Sequence, residues 1–262
     1  MKIAIAGAAG RMGQMLIREI ARTEGSSLAG ALEHAGNNAL GTETGGVKIV
    51  ADPAAAIAAA NVLIDFTVPA ATVAHAKVCA DKGVSMVIGT TGLDAEQTKA
   101  IHAAAKKVPI LWAANMSLGV NILLALVEKT ASMLDPAYDI EIVEMHHRHK
   151  IDAPSGSALA LGRAAATGRG VNLDDVAVRG RDGVTGARQK GTIGFASLRG
   201  GDVPGDHTVI FAGLGERLEL THKASDRAIF ARGAVRAAQW AVDRKPGVYD
   251  MQDVLGLNSA GQ

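Results

Sequence analysis

Residues 3–33 read IAIAGAAGRMGQMLIREIARTEGSSLAGALE, and the rest of the sequence is best interpreted outward from them. Four small apolar residues come first, followed by a glycine-rich stretch and a helical pattern over residues 12–22. A second apolar run then covers residues 28–32. This order of strand, loop, helix and strand predicts a βαβ unit, in which the two strands are parallel.

The same alternation continues through the first half of the chain. Further apolar runs lie at residues 62–66, 84–88 and 110–112. Helical patterns lie between them, over residues 70–82 and 94–107. Strands that are apolar throughout and alternate with helices are typical of a parallel sheet covered on both faces. We therefore predict an α/β fold built on a Rossmann-like parallel sheet.

The pattern changes after about residue 118, where strands with one polar face replace fully apolar ones. The predicted helices cover residues 120–133, 158–166 and 226–242, and the predicted strands cover residues 140–144, 191–198, 208–212 and 217–221. Glycine-rich turns join the last strands, which predicts an open mixed sheet in a second α+β domain. The polar, glycine-rich segment 167–188 is predicted to be a long loop.

These patterns predict two domains. Residues 1–117 and 225–262 are expected to form a dinucleotide-binding domain, because the last helix has the alanine-rich character of the first half. Residues 118–224 are expected to form a domain for substrate binding and oligomerisation.

Composition excludes several classes of protein. Lys and Arg number 27 against 26 Asp and Glu, and this net charge of +1 argues against binding to nucleic acid or membranes by bulk charge. No apolar run reaches the roughly 18 residues of a membrane span, and the N-terminal run is too short for a signal peptide. The one cysteine, Cys79, indicates a reducing compartment and is expected to be buried rather than nucleophilic. We expect a soluble, cytoplasmic protein.

The glycine-rich stretch from Gly7 to Gly13 has the spacing G-x-x-G-x-x-G. Glycines between a strand and a helix let the backbone approach a pyrophosphate, and the helix N-terminus supplies unpaired amides. Glu33 follows the second predicted strand, where an acidic residue can accept hydrogen bonds from ribose hydroxyls. The alternative is a plain glycine turn without a ligand, but the coincidence of strand, loop, helix and acid favours a dinucleotide.

Two further segments end predicted strands of the same sheet: the GTTG run that begins at Gly89 and the AANM run that begins at Ala113. Ligands of open α/β sheets bind beyond the carboxyl ends of the strands, so both segments are expected to line the crevice beside the glycine loop. Taken alone, each would be an ordinary turn between a strand and a helix.

A cationic stretch, EMHHRHK over residues 144–150, follows the strand at residues 140–144. One interpretation is a solvated basic edge. A zinc site is a second, because His147 and His149 would share a strand face, but no cysteine is near and the adjacent cations would repel a metal. A third is an anion pocket in which a histidine and a lysine transfer protons. Ser155, Gly156 and Ser157 then begin a helix whose amides can hold a carboxylate.

His75 and His102, in helical patterns elsewhere, are expected at the surface.

The run EMHHRHKIDAPSGSA over residues 144–158 resembles the signature of the dihydrodipicolinate reductase family. The motifs GAAGRMG, DFT, GTTG, AANMS and GERLELTHKAS also match in order, so the resemblance spans essentially the whole chain. Three positions depart conservatively: Met116 stands where the family often has Phe, Ser157 where it usually has Thr, and Ala9 where Gly is frequent. His34 follows Glu33 where some members carry Arg, which leaves the choice of nicotinamide cofactor open.

The resemblance implies a cytoplasmic enzyme of the diaminopimelate route to lysine, which reduces an unsaturated heterocyclic dicarboxylate with NADH or NADPH. It implies cofactor contacts at Gly7, Ala8, Ala9, Gly10, Arg11, Met12, Glu33, His34, Gly89, Thr90, Thr91, Ala113, Ala114, Asn115 and Met116. It implies His146 and Lys150 as the proton-transfer pair, and His147, Gly156 and Ser157 as substrate contacts. It implies a homotetramer joined through the open sheets. The chemistry of the cationic stretch, rather than the resemblance, predicts no metal.

Two other functions remain possible on the sequence. One is another two-domain nicotinamide oxidoreductase acting on an amino or hydroxy acid, which would need the glycine loop but not the cationic stretch. The other is a redox sensor that binds a dinucleotide and a protein partner, for which the cationic stretch would have no purpose.

Overall fold

The computed structural model describes residues 1–258. Contacts between residues divide the chain into two units: Met1–Leu118 together with the described residues from Ala228 onward, and Gly119–Arg227 between them. We call them the first and the second unit. None of the helices in residues 1–258 is both long enough and apolar enough to cross a membrane.

The strands and helices alternate through much of the chain. The strands are β1 (Lys2–Ala6), β2 (Ser27–Leu32), β3 (Glu43–Thr44), β4 (Val47–Val50), β5 (Val62–Asp65), β6 (Ser85–Ile88), β7 (Pro109–Trp112), β8 (Asp139–His146), β9 (Ala177–Val178), β10 (Ile193–Arg199), β11 (Gly205–Ala212), β12 (Arg217–Ala224) and β13 (Gly247–Tyr249). The helices are α1 (Arg11–Arg22), α2 (Pro53–Ile57), α3 (Pro69–Lys82), α4 (Ala95–Ala104), α5 (Leu118–Met133), α6 (Gly156–Arg169), α7 (Leu173–Val176), α8 (Ala228–Ala241) and α9 (Met251–Leu255).

The first unit contains an eight-stranded sheet in the order β13-β7-β6-β5-β1-β2-β4-β3. Its strand pairs are parallel except β3 with β4. Successive side chains of β1 enter two different cores, because the side chains of a strand alternate between its faces. Ile3 and Ile5 pack in a core with α1 and α8, whereas Ala4 and Ala6 pack in a core with α3 and α4. The prediction of a parallel sheet covered on both faces is confirmed.

The second unit contains a five-stranded mixed sheet in the order β12-β11-β8-β10-β9. β8 pairs in parallel with β10 and antiparallel with β11. Every second side chain of β8 and of β11 is buried, and the buried faces pack with α5 and α6 around Ile142, Leu161 and Phe211. The structure thus contains the predicted second, mixed sheet.

The structure also corrects several sequence-based expectations. Residues 167–188 are not one long loop, because they contain the end of α6, the short helix α7 and the strand β9. No strand was expected between β2 and β5, yet β3 and β4 lie there. The chain after α8 was assigned no element, yet β13 adds to the edge of the first sheet beside β7.

Candidate active site

The glycine loop of the first unit runs from the end of β1 into α1. Gly7 has φ +76°, a backbone conformation that favours glycine, and its amide donates to the Leu32 carbonyl oxygen at 2.9 Å. A Cβ at Gly13 would lie 2.1 Å from the Gly7 carbonyl oxygen and 2.8 Å from the Ala8 Cα atom. The first turn of α1 therefore lies directly against the loop, and only a glycine at Gly13 allows this approach.

The N-terminus of α1 is available for an anion. Gly10 caps the helix and offers no side chain to its first amides, and Arg11 is exposed. Glu33, just beyond β2, accepts from the Ala9 amide at 3.1 Å and from the His34 amide at 3.2 Å. These contacts hold the Glu33 carboxylate beside the glycine loop.

A cavity of about 590 Å³ adjoins this loop. Its lining includes Gly7, Gly10, Glu33 and His34 from the loop side, and Phe66 from the end of β5. Glycine backbone without side chains, a helix N-terminus and a carboxylate beside a cavity of this size fit a dinucleotide, with its phosphates at the helix and a ribose at the acid.

The other predicted cofactor residues lie beyond the carboxyl ends of β6 and β7. A Cβ at Gly89 would lie 2.2 Å from the Phe66 ring, so this turn packs against the cavity wall. Thr91 and Ala114 are exposed, whereas Thr90 is buried. Met116 is 1% exposed and belongs to the core, so its side chain is not presented to a ligand.

A buried polar cluster centred on Asp65 lies next to these strand ends. The sequence analysis did not predict it. His75 was expected at the surface, but it is 8% exposed and its Nδ1 atom lies 2.7 Å from Asp65 Oδ2. Thr67 Oγ1 donates to Asp65 Oδ1 at 2.6 Å, and Thr90 Oγ1 donates to the same atom at 3.2 Å. The cluster ties the loop after β5 to the turn after β6. The sequence did contain one indication of this cluster: Asp65 is a charged residue at the end of an otherwise apolar strand.

Cys79 faces the same side of α3 and is fully buried. Burial raises the pKa of its thiol to about 12, and the nearby Asp65 adds to this effect. Cys79 is therefore a protonated core residue at neutral pH rather than a nucleophile.

In the second unit, His146 ends β8, and its Nδ1 atom lies 2.6 Å from Oε2 of Glu144, two residues earlier on the same face. Burial raises the pKa of Glu144, but hydrogen bonds from Arg199 and His146 outweigh this and lower it to about 2. The Lys150 ammonium donates to Asp152 Oδ1 at 2.7 Å. The structure thus places both members of the predicted proton-transfer pair at the end of β8.

His147 lies in the turn after β8 and contacts Arg227, whose Nη2 atom donates to His147 Nε2 at 3.1 Å. Burial and the charge of Arg227 lower the pKa of His147, so the ring is neutral at neutral pH. Because Nε2 accepts, the ring proton is on Nδ1, which is buried and has no hydrogen-bond partner within residues 1–258.

The zinc interpretation is not supported by the geometry. β8 ends at His146, so His147 and His149 do not share a strand face. His, Cys, Asp and Glu side chains nowhere form a group of three that could bind a metal in the part of the chain that the structure describes.

Ser155 caps the N-terminus of α6, and its Oγ atom accepts a hydrogen bond from the Ala158 amide at 3.1 Å. The same oxygen lies 3.0 Å from Nε2 of the buried His207 on β11. Gly156 and Ser157 are the first residues of α6, so their amides belong to the helix end where an anion is stabilised.

The buried His207 predicts how stability depends on pH. Burial, together with the nearby His146, lowers the pKa of His207 from 6.5 to about 4. The unfolded chain therefore binds a proton that the folded chain excludes between these values. The contribution of His207 is fully present above about pH 6.5 and is lost as the pH falls towards about 4. A shift of this size corresponds to roughly 3 kcal/mol.

We expect the free energy of unfolding, measured by urea denaturation at fixed protein concentration, to rise with pH across this range. His207→Gln should remove much of that rise. His102→Gln, a change at an exposed histidine, should leave the pH dependence as in the wild type. An equally steep rise in His207→Gln would show that another group is responsible.

Comparisons with known proteins cover both units. Residues 1–116 match the family model "Dihydrodipicolinate reductase, N-terminus", and residues 119–255 match "Dihydrodipicolinate reductase, C-terminus". The chain is 56% identical over 266 aligned residues, 98% of each chain, to the 4-hydroxy-tetrahydrodipicolinate reductase of Rhodopseudomonas palustris (strain BisB18). It is 54% identical to that of Burkholderia multivorans over 98% of this chain and 100% of the relative.

A solved structure agrees with these relatives. The dipicolinate-bound dihydrodipicolinate reductase from Paenisporosarcina sp. TG-14 is 25% identical to this chain and superposes with a TM-score of 0.79, over 97% of this chain and 98% of the other. Two matched family models and relatives more than half identical over nearly their full length leave one conclusion: the chain belongs to the dihydrodipicolinate reductase family.

Proposed function

We propose that this chain, an NAD(P)H-dependent 4-hydroxy-tetrahydrodipicolinate reductase of the diaminopimelate route to lysine, protonates its substrate through His146 and Lys150. The observation that carries the proposal is the imidazole of His146, which ends β8 with its Nδ1 atom 2.6 Å from the buried Glu144 carboxylate, while Lys150 lies in the turn that follows. Histidine changes its protonation state near neutral pH, which suits a proton donor in the reaction.

When bound, NADH or NADPH supplies the hydride that adds to the conjugated imine formed when 4-hydroxy-tetrahydrodipicolinate loses water. We propose that Gly7, Gly10 and the first amides of α1 hold the pyrophosphate, and that Glu33 accepts hydrogen bonds from the ribose hydroxyls. The carbanion-like enamine that remains must gain a proton. His146 donates it, and Lys150 polarises the substrate or protonates it nearby.

Each substrate carboxylate needs a donor of its own. We propose that His147 contacts one of them, because its ring lies in the turn that directly follows His146. The amides of Gly156 and Ser157 at the start of α6 contact a carboxylate as well. The Paenisporosarcina enzyme was solved with dipicolinate, a planar dicarboxylate, bound to it, which supports recognition of two carboxylates here.

This assignment predicts which inhibitors bind. Pyridine-2,6-dicarboxylate should inhibit competitively against the substrate, and pyridine-2-carboxylate should bind at least about tenfold more weakly, since it lacks one charge-assisted contact. Inhibition constants from initial rates give the comparison. Benzoate, which has one carboxylate and no ring nitrogen, is the control for non-specific anion binding. Equal inhibition by the two pyridine acids would mean that the second carboxylate is not recognised.

Glu33 also predicts the choice of cofactor. Its carboxylate, held beside the glycine loop, should repel the 2′-phosphate of NADPH, whereas the exposed Arg11 attracts it. These opposed contacts are worth about 1–3 kcal/mol each, so both cofactors should be used, with NADH preferred at neutral pH.

The measurement is kcat/KM for both cofactors at neutral pH and fixed ionic strength. Glu33→Gln should shift the preference towards NADPH by about tenfold, and Arg11→Gln should shift it towards NADH. A wild-type preference for NADPH above about 100-fold would show that Arg11 outweighs Glu33.

We also propose that the chain works in the cytoplasm as a homotetramer, assembled through the face of the second sheet opposite its core. Leu198 on β10, which pairs with Met145 on that face, is 50% exposed in the single chain, and burial of such a side chain favours association. Light scattering at micromolar concentration measures the assembly directly, and a monomer would refute it.

A further inference from the structure

Glu144 is a buried carboxylate with a complete set of donors. It is 1% exposed and lies on the core face of β8. Arg199 donates to both of its oxygens, from Nη1 to Oε2 at 2.8 Å and from Nη2 to Oε1 at 2.9 Å. The Ser155 amide donates to Oε1 at 3.2 Å, and His146 Nδ1 lies 2.6 Å from Oε2. A buried charge is stable only with such partners.

Arg199 determines whether Glu144 accepts or donates the hydrogen bond that it shares with His146. Its bidentate ion pair keeps the carboxylate ionised at any pH at which the enzyme works, so Glu144 can accept a hydrogen bond but not donate one. Nδ1 of His146 must therefore be the donor. In the neutral ring the proton stays on Nδ1, and Nε2 is the nitrogen that exchanges its proton.

The backbone that lies beside Nε2 carries no side chain. Gly205 of β11 has φ +155°, a conformation that side chains rarely adopt, and a Cβ at this position would lie 2.8 Å from His146 Nε2. A glycine here leaves the space beside Nε2 clear. The ring of His207 meets the His146 ring edge-on, with the centroids 5.1 Å apart, and limits its rotation from another side.

We propose that Glu144 is a positioning residue for the reduction: held by Arg199, it orients His146 and fixes its tautomer, so that Nε2 delivers the proton. The proposal rests on the role given to His146 above. Hydride addition to the β-carbon of the N=C–C=C system leaves an enamine, and the imidazolium gives its Nε2 proton to the α-carbon of that enamine. The neutral ring keeps its Nδ1 proton, and Glu144 stays ionised throughout.

The alternative is that Glu144 only holds the backbone together, since it also binds the Ser155 amide. Glutamine at this position separates the two roles. Oε1 faces two fixed donors, Arg199 Nη2 and the Ser155 amide, whereas Oε2 faces Arg199 Nη1 in addition to His146, so the amide oxygen will stay at the Oε1 position. The amide NH₂ group then faces Nδ1 of His146 and favours the opposite tautomer, with the proton on Nε2.

Glu141 is the matched control on the same strand. It lies on the other face of β8 and its side chain is 26% exposed. Arginines hold it as well, with Arg181 donating to Oε1 at 2.9 Å and Arg188 donating to the same atom at 2.9 Å. Glu141→Gln therefore removes a carboxylate paired with arginine, and it leaves the contact between Glu144 and His146 in place.

The experiment compares Glu144→Gln, Glu141→Gln and wild type by steady-state kinetics, by affinity for pyridine-2,6-dicarboxylate, and by the ring ¹⁵N chemical shifts of His146. For Glu144→Gln we expect kcat to fall about 10- to 100-fold, with KM and inhibitor affinity within about threefold of wild type. The neutral His146 ring should carry its proton on Nδ1 in wild type and on Nε2 in the variant. Glu141→Gln, shown by light scattering to assemble like wild type, should match wild type in all three.

An Nε2 proton on the neutral His146 ring of the wild-type enzyme would overturn the proposal, even if Glu144→Gln does not fold. So would an unchanged kcat in Glu144→Gln. Glu144→Asp, which keeps the charge facing Arg199 but withdraws it from Nδ1, should show a smaller loss of kcat with unchanged KM. A wild-type enzyme without reductase activity would instead refute the proposed function, and the two failures are distinguishable.

Discussion

We expect His146→Gln and Lys150→Ala each to lower kcat by about 10²–10⁴-fold, the usual cost of removing a positioned proton donor. His146 is held by Glu144, and Lys150 lies in the turn that follows β8, so each change removes a group from the same end of the second unit. Binding of NADH, measured by fluorescence titration, should stay within about threefold of wild type because the glycine loop belongs to the first unit.

His149→Gln provides the control for this experiment. His149 lies in the same turn and is exposed, so its loss should leave kcat near the wild-type value. If His146→Gln and Lys150→Ala also keep kcat within about threefold, the proton must come from elsewhere.

The second large effect is expected from Gly13→Ala. The new Cβ would lie 2.1 Å from the Gly7 carbonyl oxygen. No side-chain rotation can relieve this contact, because the backbone fixes the positions of both atoms. Either α1 or the glycine loop must shift, which costs stability by about 1–3 kcal/mol or more and spoils the approach of the pyrophosphate. We expect affinity for NADH to fall at least about tenfold, with a lower melting temperature.

Gly180→Ala is the matched control, since a Cβ there would meet no atom within 4 Å and the backbone is not in the left-handed region. NADH affinity and melting temperature should be unchanged by it. A Gly13→Ala enzyme that binds NADH as tightly as wild type would mean that the phosphates lie elsewhere.

The sequence predicted those elements whose local residue pattern results directly from their burial or their backbone geometry. The apolar strands of the first sheet are buried on both faces, so their composition alone identifies them. The alternation in β8 reflects one buried face and predicted the second sheet. The glycine loop could also be predicted from nearby residues. The spacing of its glycines follows from the close approach of α1 to the end of β1.

Prediction from the sequence failed where contacts join distant residues or where elements are short. β3 and β13 have two and three residues, too few for a period to be visible. Arg199 lies 55 residues after the Glu144 that it holds, and nothing near Arg199 in the sequence marks it. His75 looked like a surface histidine, although Thr72, Ala76 and Cys79 are buried on the same face of α3 at helical spacing.

The reduction itself is tested most directly by one coupled assay. The substrate is generated in situ by the synthase that precedes this step, and the absorbance of reduced nicotinamide is followed while tetrahydrodipicolinate is identified by mass spectrometry. We predict oxidation of NADH and, more slowly, of NADPH, with one tetrahydrodipicolinate formed for each cofactor consumed and almost no rate in His146→Gln. No oxidation of either cofactor by the wild-type protein, with the synthase shown to be active, would contradict the proposed reaction.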